Sequence, residues 1–499
     1  MNLLAWPLII SLFSAALCMA LWQQPLWQRR LGLVGSGANA LVAIVLLQTV
    51  LRDGVQVLHI ANWHAPFGIT LVADLLSAIM VAMTAVMGLS VHFYSWFCMD
   101  RDIETYGFHS LFHFLLLGVY SSFLTGDIFN LYVSFEIMLI ASFVLLALGN
   151  RRAQIEGALK YMALNLFGSF LFLGGAGILY GLLGTLNMAD VAVKLATVDN
   201  PSLTNALALV FLVAFGLKAA VFPFFSWLPA SYHTPPSAVS AIFAALLTKV
   251  GVYCLMRFFS LIFVGDQSFT HEIIAVIGLS GMVFGVLGAV SKNEIRRILS
   301  FHSISQIGYM IFGFAMMTPL AIAGALFYVL HHSIVKSNLF LIGGAIHRIF
   351  GSYHLSRLGG LYRSHPFLAA VFLITALSLA GLPPLSGFFA KIFLVQAAFL
   401  DDRPLAVFIM LAVGLFTLIS MSKIFDKAFW KPLSSEHKPS PIEPSPSAEL
   451  GMMIPITFLA ILTLLLGVGV PFAYDVFYQA AEQILNPSEY IDRVLGGAP

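Results

Sequence analysis

An all-α polytopic membrane protein of about fourteen spans is the fold class this sequence predicts, and three observations carry the prediction. Of its 499 residues, 60% are apolar, 13% aromatic and only 10% charged, whereas soluble domains average about 25% charged residues. Apolar runs of about 20 residues, enough to cross the hydrocarbon core of a bilayer, recur from end to end. None alternates apolar and polar residues with period two, so membrane strands are excluded and helices remain.

The runs centre on residues 3–22, 31–51, 70–97, 108–125, 128–148, 158–183, 205–227, 237–264, 273–291, 298–316, 319–346, 366–398, 405–424 and 450–471. The first has no basic residue ahead of it and is long enough to cross, which reads as a retained helix rather than a signal peptide. Ala15, Ala16 and Leu17 ahead of Cys18 match a lipoprotein cleavage site poorly. Basic residues then punctuate the connections unevenly. The odd-numbered connections hold 16 of the 25 lysines and arginines, among them Arg29, Arg30, Arg101, Arg151, Arg152, Arg296 and Arg297. Five others, Arg52, Lys194, Arg257, Arg403 and Arg493, fall to even-numbered connections and the C-terminal tail. By the positive-inside rule the odd connections are cytoplasmic, both termini lie outside, and the span count is even.

Composition also excludes. Cys18, Cys98 and Cys254 form no C-x-x-C pair, so iron–sulfur, zinc and dithiol roles are not expected. No G-x-x-x-x-G-K-[ST] loop is present, which removes ATP as the direct energy source. The histidines lack further ligands at metal-site spacing, and neither a cofactor, a metal nor a nucleic-acid partner is expected. The one extended polar stretch, Pro432 to Glu449, is rich in proline, serine and charge and reads as a cytoplasmic linker.

Two spans carry proline in mid-run. One reads FGLKAAVFPFFSWLP, with Lys218 five residues before Pro223; the other reads LAGLPPLSGFFAK, with Pro383 and Pro384 ahead of Lys391. Proline removes a backbone donor and clashes with the preceding turn, so each helix is expected to break. Broken helices in corresponding positions of two halves point to a transport site on inverted repeats. The breaks fall in spans 7 and 12, which makes spans 4–8 and 9–13 two five-helix units of opposite orientation. The expected organisation is one membrane domain over 1–499: spans 1–3 over 1–104, repeats over 105–265 and 266–430, linker over 431–449, last span and tail over 450–499.

Lys218, Lys249, Lys336 and Lys391 lie inside these runs, as does Glu136. Each charge at mid-bilayer costs about 2.5–3.5 kcal/mol, so five cost on the order of 12–18. Whole domains are net stable by only about 5–15 kcal/mol. Such a load implies a buried polar path that moves charge, because desolvation disfavours an ammonium and readies a buried amine to release its proton. Glu136 reads as a counter-ion for Lys218, or else as a neutral acid bonded to a neighbouring helix; lone charges of either sign are prohibitive in hydrocarbon, which favours the pair. Lys249 and Lys336 stand near enough to helix ends for snorkelling to compete as an explanation.

The run HHSIVK sets His332 and Lys336 on one helical face, four residues apart. Histidine titrates near neutrality, which suits a relay. His331 points elsewhere on the helix and serves as readily in structure. In LSFHSISQIGYM, residues His302, Ser305, Gln306 and Tyr309 form a polar stripe, suited to holding water or to fastening helices together. Gly174, Gly175 and Gly177 most simply permit close helix packing.

Together these segments resemble the proton-pumping antiporter-like family: the subunits of Mrp multisubunit sodium/proton antiporters and the related membrane subunits of respiratory complex I and membrane-bound hydrogenases. The resemblance rests on NLYVSFEIML, GLKAAVFPFFSWLPASYHTPPSAVSA, LLTKVGVYCLMRF, SFHSISQIGYM, HHSIVKSNLFLIGGAI and LAGLPPLSGFFAKI, in order over roughly residues 105–400. Within the family the chain looks most like the D subunits of Mrp antiporters. It lacks the long extension of the A subunits and the lateral helix of the long-tailed complex I subunit. Lys391 stands where the complex I subunit of nearest pattern usually has glutamate, and Ala230 follows Pro229 where many complex I members read W-L-P-D.

The resemblance implies that Glu136 and Lys218 form a charge-switching pair, that Lys249 is the central relay and that Lys391 is the exit-side lysine. His332 and Lys336 match the family's H-x-x-x-K, and His331 is a further proton-transfer candidate without a counterpart in that motif. It implies a secondary transporter subunit rather than an enzyme, partnered by other Mrp subunits in a bacterial cytoplasmic membrane, with protons and sodium as the ions moved. Two alternatives stay open: a pumping subunit of a complex I-type quinone oxidoreductase or membrane-bound hydrogenase, and a scaffold whose charges only hold subunits together.

Overall fold

A computed structural model describes residues 3–433 and 446–496. Helices α1 (Trp6–Ala20) and α2 (Pro25–Asp53) form a hairpin, followed by strand β1 (Gln56–His59), strand β2 (Thr70–Ala73) and α3 (Leu75–Cys98). The short α4 (Arg101–Thr105) leads into α5 (Phe108–Leu124), α6 (Ile128–Ala147), α7 (Arg152–Leu183), α8 (Met188–Leu195) and α9 (Pro201–Ala219). Next come α10 (Trp227–Ser231), α11 (Ser237–Leu261), α12 (Gln267–Ser291), α13 (Ile295–Ala315) and α14 (Pro319–Phe350). A short α15 (Leu361–Ser364) precedes α16 (Pro366–Ala380), α17 (Ser386–Leu400) and α18 (Pro404–Phe425), and α19 (Pro446–Val468), α20 (Val470–Leu485) and α21 (Ser488–Leu495) end the described chain.

Local signals explain where these helices start. Side-chain oxygens of Asp74, Asp127, Asn200, Asp266 and Thr318 cap α3, α6, α9, α12 and α14. Proline opens α2, α9, α14, α16 and α18, where its missing N–H is no loss. Among the described residues, twelve helices are long and apolar enough to cross a membrane; α5, α16 and α17 are apolar but shorter. Helix α11 is buried over its whole apolar window and α13, α14 and α3 nearly so, whereas α1, α2, α7 and α18 leave much of their surface uncovered. The uncovered side chains include Phe13, Leu41, Phe170, Phe408 and Leu411, as a belt facing lipid tails requires. The chain is a multi-pass membrane protein whose core is built on α11, α13 and α14.

Two expectations need correction. The run expected as a helix from residue 70 starts as β2, which pairs antiparallel with β1 from Gln56↔Ala73 to His59↔Thr70. Asp74 caps α3 in an extended conformation, which sets the start of that helix after the strand. Arg257, assigned to a connection, lies in the last turns of α11, buried and paired to Asp74 through both guanidinium nitrogens at 2.6 and 2.8 Å. The tail beyond residue 471 is held down: Phe477 meets Phe327 edge to face at 5.3 Å, Gln483 accepts from Leu75 N, and Glu489 accepts from Val55 N. Of the linker expected over 431–449, positions 434–445 lie outside the described residues.

Candidate functional site

Both expected helix breaks are present, and the same terminator makes each. Helix α9 stops at Ala219, before Pro223 is reached. Ala220 turns left-handed at φ 56, and Val221 N reaches back to Gly216 O at 3.0 Å. Helix α16 stops at Ala380, Gly381 turns left-handed at φ 93, and Leu382 N reaches back to Leu377 O at 3.1 Å. Ala220 N and Gly381 N add bonds to Leu217 O and Ser378 O, and side chains supply the remaining donors at each break. At the first break Trp227 Nε1 donates to Leu217 O at 2.9 Å. At the second, Lys391 Nζ donates to Leu379 O at 3.0 Å and Ala380 O at 2.7 Å. A lysine placed seven residues beyond Pro384 thus does what water or a neighbouring helix would otherwise have to do.

Lys218 occupies the last turn of α9, only 4% exposed. Its Nζ donates to Ser169 Oγ of α7 at 3.1 Å and lies 5.4 Å from the centre of the Phe135 ring. Glu136 of α6 is half-buried, and its Oε1 is buried without a hydrogen-bond partner. The expected contact pair is therefore not closed: the carboxylate acts on Lys218 through space, and Ser169 takes the hydrogen bond. The physical reason is competition, since a hydroxyl and an aromatic face within reach can hold an ammonium without a carboxylate contact.

Lys249 and Lys336 are fully buried, which removes snorkelling as their explanation. Lys249 Nζ donates to Ala244 O of its own helix, and Lys336 Nζ donates to Leu299 O of α13 at 2.9 Å. His332, one turn before Lys336 on α14, has no protein partner for either ring nitrogen. It feels the charges of Lys249 and Lys336 and the rings of His331 and His302. His302 in turn neighbours Lys336 and Lys391, and His331 neighbours Lys391. Lys249, His332, Lys336, His302, His331 and Lys391 are thus brought into one electrostatic series. Lys218 and Glu136 form a group of their own, and α9 packs closely on α11 beside them: a Cβ at Gly251 would lie 2.4 Å from Ala219 N.

His331 is turned towards the second break. Its Nδ1 is hydrogen-bonded to Ser386 Oγ at 2.8 Å, which ties α14 to the start of α17 at the second break. His302 Nε2 meets Ser420 Oγ at 3.0 Å, and Gln306 accepts from Tyr328, whose ring stacks on Tyr309 at 5.2 Å. Thr248 Oγ1, His302 Nδ1, Gln306 Nε2, His331 Nε2, Ser337 Oγ and Asn338 Oδ1 are buried without protein partners. Polar atoms in that condition call for water. Ser169, Thr248, Ser386 and Ser420 were not singled out from sequence. A hydroxyl in an apolar helix usually bonds its own backbone, and nothing in one sequence marks the exceptions. Among the described residues no cluster of three or more His, Cys, Asp or Glu could hold a metal.

The fold and these buried charges define the class: a polytopic membrane subunit of the antiporter-like type. Residues 125–417 match the sequence pattern of a family described as NADH:quinone oxidoreductase/Mrp antiporter, transmembrane. The chain is 45% identical to the D subunit of the Na(+)/H(+) antiporter of Alkalihalophilus pseudofirmus, over 99% of both chains. It is 38% identical to the D subunit of the Na(+)/H(+) antiporter of Bacillus subtilis, again over 99% of both. A chain in the structure of the Mrp complex from Dietzia sp. DQ12-45-1b superposes with a TM-score of 0.92 at 29% identity, covering 99% of this chain and 100% of that one. The chain belongs to the NADH:quinone oxidoreductase/Mrp antiporter family.

Proposed function

We propose that this chain is the proton-conducting subunit of a multisubunit sodium/proton antiporter in a bacterial cytoplasmic membrane. It works there as a secondary transporter beside other subunits, with both termini on the outer face. The observation that carries the reading is the series from Lys249 to Lys391, interleaved with polar atoms that lack protein partners and joined to both broken helices. The relatives that match over full length are sodium/proton antiporter D subunits. In this reading α5 and the broken α16–α17 count as one span each, which makes fourteen, and spans 4–8 and 9–13 are inverted repeats. The shared terminator at Ala220 and Gly381 supports that correspondence.

The mechanism turns on Lys218 having two places to go. With Glu136 ionised, its charge draws the ammonium; with Glu136 protonated, Ser169 and the Phe135 face hold it instead. Proton arrival at Glu136 thus releases Lys218, and the change in charge at the end of α9 reaches Lys249 across the Gly251 contact. Lys249 then gives up its own proton, which passes along His332, Lys336 and His302, with His331 as a side branch, and leaves past Lys391, while Glu136 keeps the arriving proton until the pair resets. The driving force is the membrane gradient, about 2.3 kcal/mol per charge per 100 mV. Replacing Glu136 or Lys218 by alanine, in complexes shown to be assembled, is expected to abolish antiport in everted vesicles. Undiminished exchange in either variant would remove that residue from the path.

A further inference from the structure

A second cluster of titratable side chains lies outside the lysine series, between α2, α3, α4 and α5. Glu104 of α4 is 1% exposed and takes both Arg29 Nε and Nη2 on its two oxygens, at 2.7 and 2.5 Å. Its Oε1 also meets His109 Nε2 at 3.2 Å. His109 Nδ1 meets His92 Nε2 at 3.0 Å, and His92 Nδ1 meets Ser36 Oγ at 3.2 Å. His113 stands 5.2 Å from His92, ring centre to ring centre; its Nε2 bonds Gly32 O at 3.1 Å, and its Nδ1 is buried without a partner. All three imidazoles are at most 1% exposed. Two glycines of α2 make the space: a Cβ at Gly32 would lie 2.4 Å from His92 Cε1, and one at Gly35 would lie 2.0 Å from Ser14 Oγ.

We propose that Glu104, His109, His92 and Ser36 form a second proton-binding relay, with His113 beside it, that exchanges a proton with the arginine-rich face of the bundle. The bonding pattern has two states that differ by one proton. In the first, Glu104 is ionised, His109 donates from Nε2 to Glu104, His92 donates from Nε2 to His109 Nδ1, and Ser36 donates to His92 Nδ1. A proton arriving at His92 Nδ1 displaces the Nε2 proton onto His109 Nδ1, which displaces the His109 Nε2 proton onto Glu104 Oε1. Every bond survives with donor and acceptor exchanged, and both rings end neutral. Burial works against the Glu104 carboxylate, but the hydrogen bonds and charges of His109 and Arg29 outweigh it and hold its pKa below the usual range. That hold makes the last transfer, onto Glu104, the transient one. Between transfers the added proton rests on the imidazole pair.

A packing role alone would not need this chemistry. Phenylalanine fills an imidazole-sized space without three rings to hydrogen-bond, and the Arg29–Glu104 pair is already neutral without them. The titratable or charged groups that the surrounding helices bring to the relay are Arg29 from α2, His92 from α3, Glu104 from α4 and His109 and His113 from α5. Helix α1 contributes Cys18, whose thiol donates to Gln28 O on the adjoining turn.

The test is ring-nitrogen NMR of the assembled complex carrying 15N-histidine, titrated from pH 5 to pH 9. His92→Phe and His109→Gln identify the signals by their loss. The expected result is uptake of one proton shared by His92 and His109 as the pH falls. Signals that stay neutral and unchanged through that range would overturn the proposal. Antiport supplies a second readout: His109→Gln and Ser36→Ala, both keeping size, are expected to move the pH of half-maximal exchange. Unmoved profiles in both, with the complex assembled, count against the relay. Because the NMR titration needs no transport, it separates this inference from the lysine series.

Discussion

Gly251→Ala is the sharpest available probe of how the two halves of the buried site communicate. The added methyl would lie 2.4 Å from Ala219 N, 2.8 Å from Ala219 Cα and 2.9 Å from Ala219 Cβ. Two of these are backbone atoms, so no side-chain rotation relieves the clash; the end of α9 must move off α11 by roughly an ångström. Overpacking of this kind costs about 1–3 kcal/mol, small enough for the subunit to fold and assemble. Its effect on transport should be larger, because Lys218 adjoins Ala219 and Lys249 lies two residues from Gly251. A displacement of about 1 Å in a reacting geometry can cost on the order of 100-fold in rate. The assay is sodium-driven proton movement in everted vesicles, with blue-native electrophoresis reporting assembly. Gly174→Ala serves as the control, since a Cβ there meets nothing within 4 Å. Wild-type exchange in an assembled Gly251→Ala complex would refute coupling through this contact.

Three further outcomes rest on single contacts. Ser169→Ala removes the hydrogen bond that Lys218 makes at 3.1 Å; bonds to charged groups are worth about 1.5–3 kcal/mol, so antiport should slow about tenfold or more, and an unchanged rate would make that bond incidental. Asp74→Asn leaves the Arg257 guanidinium, 5% exposed, without its carboxylate, a loss that costs about 3–5 kcal/mol in buried pairs; thermal unfolding of the purified complex should show it, with Arg257→Met added to the same chain recovering part. His233, in the turn after α10, is pushed down to about 4 by burial and by Arg297 and Arg296. Its folded pKa lies below the unfolded value, so the unfolded chain binds the proton first and stability falls as pH drops from about 6.5 towards 4. Melting curves across that window should lose part of their pH dependence in His233→Gln, which can still accept from Arg297 Nη2.

Helix breaks and buried amines were legible in the sequence because both violate a strong rule: proline and lysine are costly inside an apolar run. What the amines bond was not legible. Lys391 reaches the carbonyls of Leu379 and Ala380, twelve and eleven residues back across the break. Sequence shows the proline but not the turn that brings those carbonyls round. The Glu136–Lys218 expectation failed at contact level for a related reason. Only one carboxylate was in view, and the Ser169 hydroxyl looked like any other serine in an apolar helix. The histidine relay was missed because His92, His109, Glu104 and Arg29 come from four separate helices, none of them carrying two members at motif spacing except α5. Its one periodic signal, His109 and His113 at i and i+4, was readable in the run FHSLFHF.

Two kinds of buried charge coexist in this fold, and their partners tell them apart. The arginines are locked to carboxylates: Arg257 to Asp74 and Arg29 to Glu104, each through two nitrogens. Among the described residues the four lysines of the membrane interior bond no carboxylate; they donate to Ser169, Ala244, Leu299, and Leu379 with Ala380. At 4 Å and an effective dielectric of about 20, an opposite unit charge contributes about 4 kcal/mol, which would pin a proton to its amine. A hydroxyl or a carbonyl already engaged in a helix holds an ammonium more loosely and does not require it to stay charged. Arginine cannot release its proton in a protein, whereas lysine can once desolvated. Carboxylate pairing therefore fixes the frame with the residue that never titrates, while in the proposed path dipole pairing is kept for the residue that gives up its proton.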